Sequence, residues 1–568
     1  MAAASWSWFG RGLRYGENRQ EKVTFNGQIA PIFEEHCVVC HRPGESAPFS
    51  LLHYDEAAKH ARQIAELTAR RIMPPWLPEP GYGNFADEHR LAEGEITRIQ
   101  QWVEQGAPEG QGNRRPKLPP LATSADGWQL GPPDLVITMP RPFNLQPEGK
   151  DVYRNFVIPL PPGRPRYVRA VQFKPGNSRP IHHVFMYVDP ARASRLLEKQ
   201  SNPGFDGMEL PESVNMPDGQ LLGWQPGRLA YQSPPGLAWT LPASGDFVLS
   251  MHINPTGKPE DIQSSVGFYF TDIPPTNTLC KMALKSFLLD IPPGATNYLV
   301  EDSFELPADC RVVGVLPHAH YLAREMQGFA TLPNGSRQWL LWIRNWDFNW
   351  QGNYWYRQPV FLPKGTKLGL RYRYDNSAGN IRNPRNPPVR VGYGPQSSDE
   401  MCELWFQLLF ANAKDKLAFE KAARAKGLKD LYAEADFQIR REPSDPKGYL
   451  EKGRLKTGEG RIDEALPYFR AAVRVGPDSE AAHYDLAVVL EREGGLEEAE
   501  REFNAALKLS PEDGRAAGGL GEISLRKGDV KSAEQHFREA LRCNPDDTAA
   551  KEYLLKLKEQ PEGGRPTG

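Results

Sequence analysis

The segment Cys37–His41 reads CVVCH, two thiols three residues apart followed by a histidine. This spacing is the attachment signature of a c-type haem, in which the thiols bond to the haem vinyl groups and His41 supplies one axial nitrogen. A structural zinc site would need a second pair of ligands, and the next cysteine along the chain is Cys280. A thioredoxin-like dithiol has no need of the histidine. The segment therefore predicts a one-electron redox centre held by Cys37, Cys40 and His41.

A haem iron attached in this way needs a sixth ligand on its other face. Met73 is the only methionine between positions 1 and 139. Because thioether ligation raises the reduction potential of a haem, Met73 is the predicted axial ligand. Three nearby histidines remain open as alternatives, although each alone is more typical of a surface residue: His53, His60 and His89.

Five of the twelve histidines fall in the central part of the chain, each within or beside a predicted strand. His318 and His320 are two residues apart, so on a strand both imidazoles project from one face and are able to share a metal ion. His182 and His183 are adjacent and point to opposite faces of a regular strand. Their joint ligation requires a bulge, a twist or use of the nearer ring nitrogen. The fifth is His252, and the group predicts metal chemistry, although a lone strand histidine is ordinarily a core or surface residue.

Three amphipathic segments surround the CVVCH motif, and they predict a small all-α cytochrome c domain over residues 22–112. The predicted helices are Gln28–His41, Glu56–Arg71 and Glu93–Gln105. Residues 113–134 are polar and rich in proline, which is typical of a linker.

The central part of the chain has the pattern of an antiparallel β protein. Short apolar or alternating runs such as Phe247–Ile253 and Leu368–Tyr374 are separated by Pro, Gly, Asn and Asp, and the chain holds 53 prolines and 51 glycines. The region is longer than one typical sandwich. We therefore divide it near Pro274 into two antiparallel β-sandwiches, residues 135–275 and residues 276–412.

The last part of the chain repeats with a period of 34 residues. The recurring residues are Pro443, Pro477, Pro511 and Pro545, then Gly460, Gly494 and Gly528, then Ala465, Ala499 and Ala533, then Phe469, Phe503 and Phe537. Alanine followed four positions later by phenylalanine, with a proline ending each unit, resembles the tetratricopeptide repeat, a pair of helices per unit. We expect a helical connector over 413–442 and a solenoid over 443–560. Such an array binds a protein partner through its concave face, or only stabilises the chain.

The order of the histidine motifs resembles that of the copper type II, ascorbate-dependent monooxygenases, which include peptidylglycine and dopamine β-hydroxylating enzymes. IHHV at 181–184, MHI at 251–253, HAHYL at 318–322 and SDEMC at 398–402 follow one another as in that family. The resemblance covers residues 134–411, about half of the chain. It implies two jelly-roll-like sandwiches with two copper ions facing one another across a solvent cleft.

The resemblance also implies a division of work between two sets of ligands. The set that stores and passes on an electron would be His182, His183 and His252. The catalytic set, which binds O2 and attacks a substrate C–H bond, would be His318, His320 and Met401. Imidazole suits both oxidation states of copper, and a soft thioether favours Cu(I). Taken alone, Met401 before an apolar segment would ordinarily be a core residue.

The sequence departs from the peptidylglycine enzymes at two positions that hold the substrate carboxylate in that family. Leu316 and Trp405 stand where those enzymes have arginine and tyrosine. A peptide ending in glycine is therefore not expected as the substrate, and the apolar residues favour a less polar one. Cys280 and Cys310 are candidates for a disulfide, which the sequence does not establish.

Together these motifs predict a monooxygenase that hydroxylates a C–H bond of an organic substrate, a small molecule or a peptide, with O2. An ascorbate-like reductant or a redox protein would supply electrons to the haem, which would pass them to the histidine-only copper and then to the oxygen-binding copper. Two other classes remain open. The chain would be a non-catalytic haem and copper electron carrier or copper-binding protein, or a scaffold whose repeats recruit a partner.

Charge and hydropathy exclude some functions. A net charge of −2 and an isoelectric point near 6.7 provide no general basic surface for nucleic acid. No run of about 18 apolar residues is present, so no transmembrane segment is predicted. Haem attachment through CxxCH occurs outside the bacterial cytoplasm, yet residues 1–16 lack the apolar core of a signal peptide. We expect a periplasmic or extracellular protein whose leader lies upstream or has been lost.

Overall fold

The structure is a computed structural model of the full chain. It describes residues 22–43, 47–86, 88–112, 127–198, 203–208, 210–226, 228, 230–512, 514–544 and 547–559. Several positions named above lie outside the described residues. They are residues 1–16, which lack the apolar core of a signal peptide, residues 113–126 of the predicted linker, Pro545, and residue 560 at the end of the predicted solenoid.

The N-terminal region is helical and begins with a π-helical turn at Phe25–Ile29. The helices that follow are α1 (Ala30–His36), α2 (Tyr54–Lys59), α3 (Ala61–Ala69) and α4 (Glu93–Glu104). Helix α4 buries Ile96, Ile99 and Trp102, which recur every three residues and so lie on one side. These side chains pack with Phe25 and Phe33 in a core of their own.

Two predicted helices of this region differ in the structure, one because it ends earlier and the other because it is divided. The predicted helix Gln28–His41 ends at His36, because the CVVCH segment that follows forms hydrogen-bonded turns. The predicted helix Glu56–Arg71 is two helices that meet at His60, whose ring stacks on Phe49 with 3.9 Å between ring centroids.

The described residues of the first half of the central region form twelve strands, and each pairing between them is antiparallel. They are β1 (Leu135–Thr138), β2 (Phe143–Leu145), β3 (Val152–Pro159), β4 (Arg166–Lys174), β5 (Ile181–Asp189), β6 (Phe205–Asp206), β7 (Gly223–Trp224), β8 (Tyr231–Gln232), β9 (Trp239–Leu241), β10 (Asp246–Ile253), β11 (Glu260–Ile262) and β12 (Ser265–Thr271). Sheet β6-β3-β10-β5-β7 faces sheet β1-β12-β4-β8, to which β9 adds through β4. A core that includes Phe247, Trp239 and Phe268 lies between them.

The second half contains ten strands with the same antiparallel pairing. They are β13 (Cys280–Lys285), β14 (Asp290–Ile291), β15 (Tyr298–Glu305), β16 (Cys310–His318), β17 (Ala323–Thr331), β18 (Arg337–Ile343), β19 (Tyr354–Leu362), β20 (Lys367–Tyr374), β21 (Val391–Gly392) and β22 (Glu403–Phe410). Sheets β13-β22-β16-β19 and β15-β20-β17-β18 enclose a second core. The central region is therefore β-rich with antiparallel sheets, as predicted, and its described sheets remain open rather than closing into a barrel.

The second core extends beyond the predicted boundaries of its sandwich. Phe85 from the N-terminal region is 1% exposed in this core, and Phe419 from the connector is 2% exposed. Residues 76–86 lie along strands β18 and β19, each at the edge of its sheet. Sequence patterns assign residues 76–86 to the N-terminal domain, but Phe85 is buried in the sandwich core and Trp76 and Leu77 pack against it.

The C-terminal region is helical. Its elements are α5 (Ala413–Arg441), α6 (Pro446–Gly458), α7 (Ile462–Val475), α8 (Glu480–Arg492), α9 (Leu496–Leu509), α10 (Gly514–Arg526), α11 (Val530–Cys543) and α12 (Thr548–Glu559). The 34-residue period accounts for the pairs. Gly460, Gly494 and Gly528 have φ of 73°, 83° and 78° in the turns between paired helices, a conformation that favours glycine.

The periodic phenylalanines and alanines fill the contacts between these helices. Phe469, Phe503 and Phe537 are each 1% exposed. No helix in the described parts of the chain has both the length and the apolar character needed to cross a membrane.

Candidate metal centre

Three histidines of the first sandwich converge on one point. The ligand atoms of His182, His183 and His252 all lie within 4.8 Å of one another. His183 is opposite His252 in the β5–β10 ladder, and the next pair is Ile181 opposite Ile253. His182 is therefore the extra residue of a β-bulge, which turns two adjacent imidazoles to the same side. The bulge is one of the arrangements that the sequence left open, and it brings His182 Nδ1 within 3.1 Å of His183 Nδ1.

The surroundings of this triad keep the imidazoles of His182 and His183 neutral. Burial lowers the pKa of His182 to about 3, and burial also holds the pKa of His183 well below its usual value. The neutral ring is the form that binds a metal. The Nε2 atom of His182 and the Nδ1 atom of His252 are buried without a hydrogen-bond partner. Such buried nitrogens lose hydration without compensation unless a ligand occupies the space between them.

Two further residues orient His252, and the sequence analysis assigned neither of them. The carboxylate of Asp151 lies 3.2 Å from His252 Nε2. The ring of Tyr153 stacks on His252 with 4.2 Å between centroids. Tyr153 is opposite His252 in the β3–β10 ladder, so strand register places it there. A tyrosine in strand alternation is so common that its pattern does not reveal this role.

The second group comes from the second sandwich. His318 Nε2 lies 3.3 Å from Met401 Sδ, and the centroids of the His318 and His320 rings are 5.3 Å apart. Burial lowers the pKa of His318, and lowers that of His320 to about 3. The prediction of one strand carrying both histidines is wrong in part, because β16 ends at His318 and His320 lies in the following turn.

Glu400 holds this turn in place from inside the protein. Its carboxylate accepts hydrogen bonds from the backbone N–H groups of His320, Leu322 at 2.9 Å and Met401 at 2.8 Å. Burial raises the pKa of Glu400 to about 8 even though these bonds favour its charged form. Glu400 thus ties two of the three residues in the group together. Its position before Met401 was a part of the motif, but its role was not predicted.

The loop of residues 344–353, between β18 and β19, touches both groups. Trp346 donates from Nε1 to the backbone oxygen of His320 at 3.1 Å. Gln351 Oε1 lies 2.5 Å from His318 Nδ1. If Nδ1 donates this bond, Nε2 is the free nitrogen beside Met401. No motif in the sequence of this loop points to that role.

The two groups are adjacent in the structure. The ring centroids of His183 and His318 are 6.4 Å apart. Phe348 fills the remaining space, with its ring 4.6 Å from that of His182 and 5.4 Å from that of His320. The cleft implied by the resemblance is therefore replaced by direct packing, and the five histidines share one region between the sandwiches.

The CVVCH segment has features that suit a covalently attached haem. Cys37 and Cys40 are not joined in a disulfide, and burial raises the pKa of Cys37 to about 12. His41 Nδ1 lies 3.1 Å from the backbone oxygen of Phe49, so Nε2 is left to face a ligand. Burial lowers the pKa of His41, which favours the neutral ring that coordinates iron.

The candidates for a sixth ligand are spread over the N-terminal region. Met73 is half-buried just after α3, and its role stays a prediction. His53 is exposed, His60 stacks on Phe49, and His89 contacts Trp76 with 4.9 Å between ring centroids. These contacts give the histidines other partners than an iron.

Two other expectations concern the second sandwich. Leu316 and Trp405 are direct partners in the β16–β22 ladder, two positions before the pair His318 and Glu403. They therefore form one half-buried apolar patch beside the second group.

Cys280 and Cys310, the candidates for a disulfide, are free thiols. Their strands, β13 and β16, both pair with β22, so a whole strand separates the two.

Comparison with known proteins identifies the C-terminal repeats. Residues 450–500 and 492–548 match the tetratricopeptide repeat family. The chain therefore carries tetratricopeptide repeats, as the period of 34 predicted. Among solved structures, the chain is similar to the first TPR of Spaghetti (RPAP3) bound to an HSP90 peptide. The identity is 20% and the TM-score 0.20, over 20% of this chain and 90% of that chain. A search of curated proteins gives no match.

Proposed function

We propose that this protein is a copper-dependent monooxygenase that hydroxylates a C–H bond of an organic substrate with O2 and receives electrons through an attached c-type haem. The observation that carries the proposal is the convergence of two ligand groups from distant parts of the chain. Three imidazoles of one sandwich meet within 4.8 Å, and a thioether lies 3.3 Å from an imidazole of the other.

The donor sets fit copper better than zinc. Neutral imidazoles bind both metals, but a thioether is a soft ligand that favours Cu(I). The buried, unpartnered Nε2 of His182 and Nδ1 of His252 support a ligand in the first group. Bound copper would supply one-electron transfer and activation of O2. His182, His183 and His252 would hold one ion, and His318, His320 and Met401 would hold the other.

The remaining residues position these ligands and control access to them. Gln351 fixes the ring of His318, and Glu400 fixes the turn that carries His320. The apolar pair formed by Leu316 and Trp405 lies on the same face as His318. It offers contact area to an apolar part of the substrate and no cation for a carboxylate. We therefore favour a substrate less polar than a peptide C-terminus.

The N-terminal region supports the electron supply. Haem would carry one electron at a time when bound to Cys37, Cys40 and His41. Met73 is its proposed sixth ligand. An ascorbate-like reductant or a redox protein would reduce it, and the tetratricopeptide repeats would bind a protein partner. Haem attachment of this kind would require export, so we propose a location in the periplasm or outside the cell. The two sandwiches are proposed to be jelly-roll-like.

A second candidate function is a non-catalytic haem and copper electron carrier. The close approach of His183 to His318 favours it, since adjacent metal sites exchange electrons without needing room for a substrate. Substrate-dependent O2 uptake separates the two functions, because an electron carrier consumes no O2 in proportion to an organic substrate.

The test begins with purified holoprotein, copper titration and a screen of apolar substrates for coupled O2 uptake. We expect two copper ions per chain and O2 loss that depends on the substrate. Met401→Leu should abolish this turnover and leave the haem spectrum intact, because leucine fills the space without a ligand atom. Met282→Leu is the matched control, since Met282 is 5% exposed in the core on β13. Fewer than two copper ions, or turnover in Met401→Leu, would contradict the proposal.

A further inference from the structure

Residues 76–86, which we term the docking segment, join the N-terminal region to the second sandwich. The N–H of Glu79 donates to the backbone oxygen of Trp342 on β18 at 2.7 Å, and that of Ala86 donates to Trp355 on β19 at 2.8 Å. Phe85 is buried in the core of that sandwich. The CVVCH region is thus attached to the sandwich that carries His318, His320 and Met401.

Trp76 stands at the start of the docking segment, three residues after the proposed haem ligand Met73. Its ring contacts His89 on the N-terminal side, at 4.9 Å between centroids. On the other side it contacts Tyr354 of the second sandwich, at 5.2 Å. Tyr354 is 5% exposed, so this contact lies inside the protein. Trp76 and Tyr354 therefore form an aromatic bridge between the two regions.

From Tyr354 two short paths lead to His318. Tyr354 is opposite Val315 on β16, the strand that ends at His318. Gln351 lies three residues before Tyr354, and its side chain is 2.5 Å from His318 Nδ1. The histidine triad belongs to the other sandwich. Its ring nearest to His318 belongs to His183, at 6.4 Å between centroids.

We propose that an electron from the haem region enters the copper centre at the His318, His320 and Met401 group, through Trp76 and Tyr354, and reaches the histidine triad only afterwards. This inference rests on the proposed function and reverses the order that the family resemblance implies. The step moves one electron from haem Fe(II), which becomes Fe(III), to Cu(II), which becomes Cu(I). A soluble one-electron reductant restores Fe(II), and no bond forms or breaks.

The order of entry is tested with holoproteins that lack one copper site. His252→Ala removes a triad ligand and His318→Ala removes a ligand of the other group. The haem is reduced by a light-driven one-electron donor, its reoxidation is followed by absorbance without O2 or substrate, and Cu(II) is counted by electron paramagnetic resonance. We expect His252→Ala to keep the wild-type rate of haem reoxidation and His318→Ala to lose the fast phase. The opposite pattern would overturn the proposed entry point while leaving the monooxygenase proposal intact.

A second set of variants separates the role of the aromatic bridge in electron transfer from the role of the docking segment in holding the two regions together. Trp76→Leu should slow haem reoxidation by about tenfold, because electron transfer weakens steeply across a wider gap, and Trp76→Phe should slow it less. Tyr82→Leu is the matched control. Tyr82 packs on Trp339 and Trp342 at the other part of the docking segment, away from the path to His318.

Tyr82→Leu should keep the wild-type rate. Equal slowing in Trp76→Leu and Tyr82→Leu would show that only docking matters and would overturn the bridge. Wild-type protein that binds two copper ions but shows no haem reoxidation would overturn the entry route altogether. Failure of the monooxygenase proposal has a different signature, since it appears as missing copper or missing substrate-coupled O2 uptake.

Discussion

The sandwiches and the helical repeats bring residues together in opposite ways. In the repeats, Phe469 and Phe503 are 34 residues apart and pack against helices that are close in sequence. In the sandwiches, His182 and Met401 belong to one centre although more than two hundred positions separate them. A destabilising substitution in one repeat is therefore expected to disturb only the neighbouring helices. The arrangement of the histidines and Met401, in contrast, depends on strands from both sandwiches.

The largest effect on stability is expected from Glu400→Ala. This change leaves three buried N–H groups without an acceptor, so we expect a loss of roughly 3–5 kcal/mol in the free energy of unfolding. Denaturant unfolding of the copper-free protein measures it. Glu400→Gln is the control, because it keeps the size and one acceptor, and it should lose clearly less. If both variants unfold like the wild type, Glu400 does not organise the turn.

A smaller loss of stability is expected at the junction between the second sandwich and the C-terminal helices. Lys426 on α5 contacts Asp302 at 2.9 Å and Asp430 at 2.6 Å. Lys426→Met leaves two partly buried carboxylates facing each other, and we expect a loss of about 2–3 kcal/mol. Thermal unfolding with the copper content measured in parallel checks it. The repeats should loosen from the sandwich while both copper ions stay bound, and loss of copper would contradict this separation.

The smallest effects come from two neighbouring glycines on α10. A Cβ at Gly519 would lie 2.4 Å from the ring of Phe503, whereas at Gly518 nothing lies within 4 Å. Gly519→Ala should therefore destabilise the array by about 1–3 kcal/mol through overpacking. Gly518→Ala should stabilise it by about 0.5–1 kcal/mol, because alanine favours the helix. Helical circular dichroism during unfolding measures both, and equal effects would contradict the close packing on Phe503.

The sequence predicted the repeats well because their contacts are local. A residue type that recurs every 34 positions lies at the same place in each helix pair, so the burial of Phe503 follows from that of Phe469. The β-rich character of residues 135–410 was also predictable from alternation and turn residues. The helix predicted at Gln28–His41 was too long, because the periodicity did not reveal the turns that begin after His36.

The geometry of the metal centre was less predictable. The residue types and their order indicated which side chains to examine, but not how strands would pair. The bulge at His182 depends on the register between β5 and β10, which tertiary packing sets. Glu400 and Gln351 act only when distant segments meet. The docking segment is a stretch of proline and aromatic residues, a composition shared by many loops.

The docking segment also affects how this protein can be divided. It lies along the edge strands β18 and β19, which would otherwise present unpaired backbone groups to neighbouring chains. A fragment that begins at residue 127 would expose both strands together with the apolar socket of Phe85. We expect such a fragment to aggregate during expression, whereas one that begins at residue 76 should remain dispersed. The second sandwich is therefore expected to need residues 76–86, which lie outside its predicted boundaries, in order to stay dispersed.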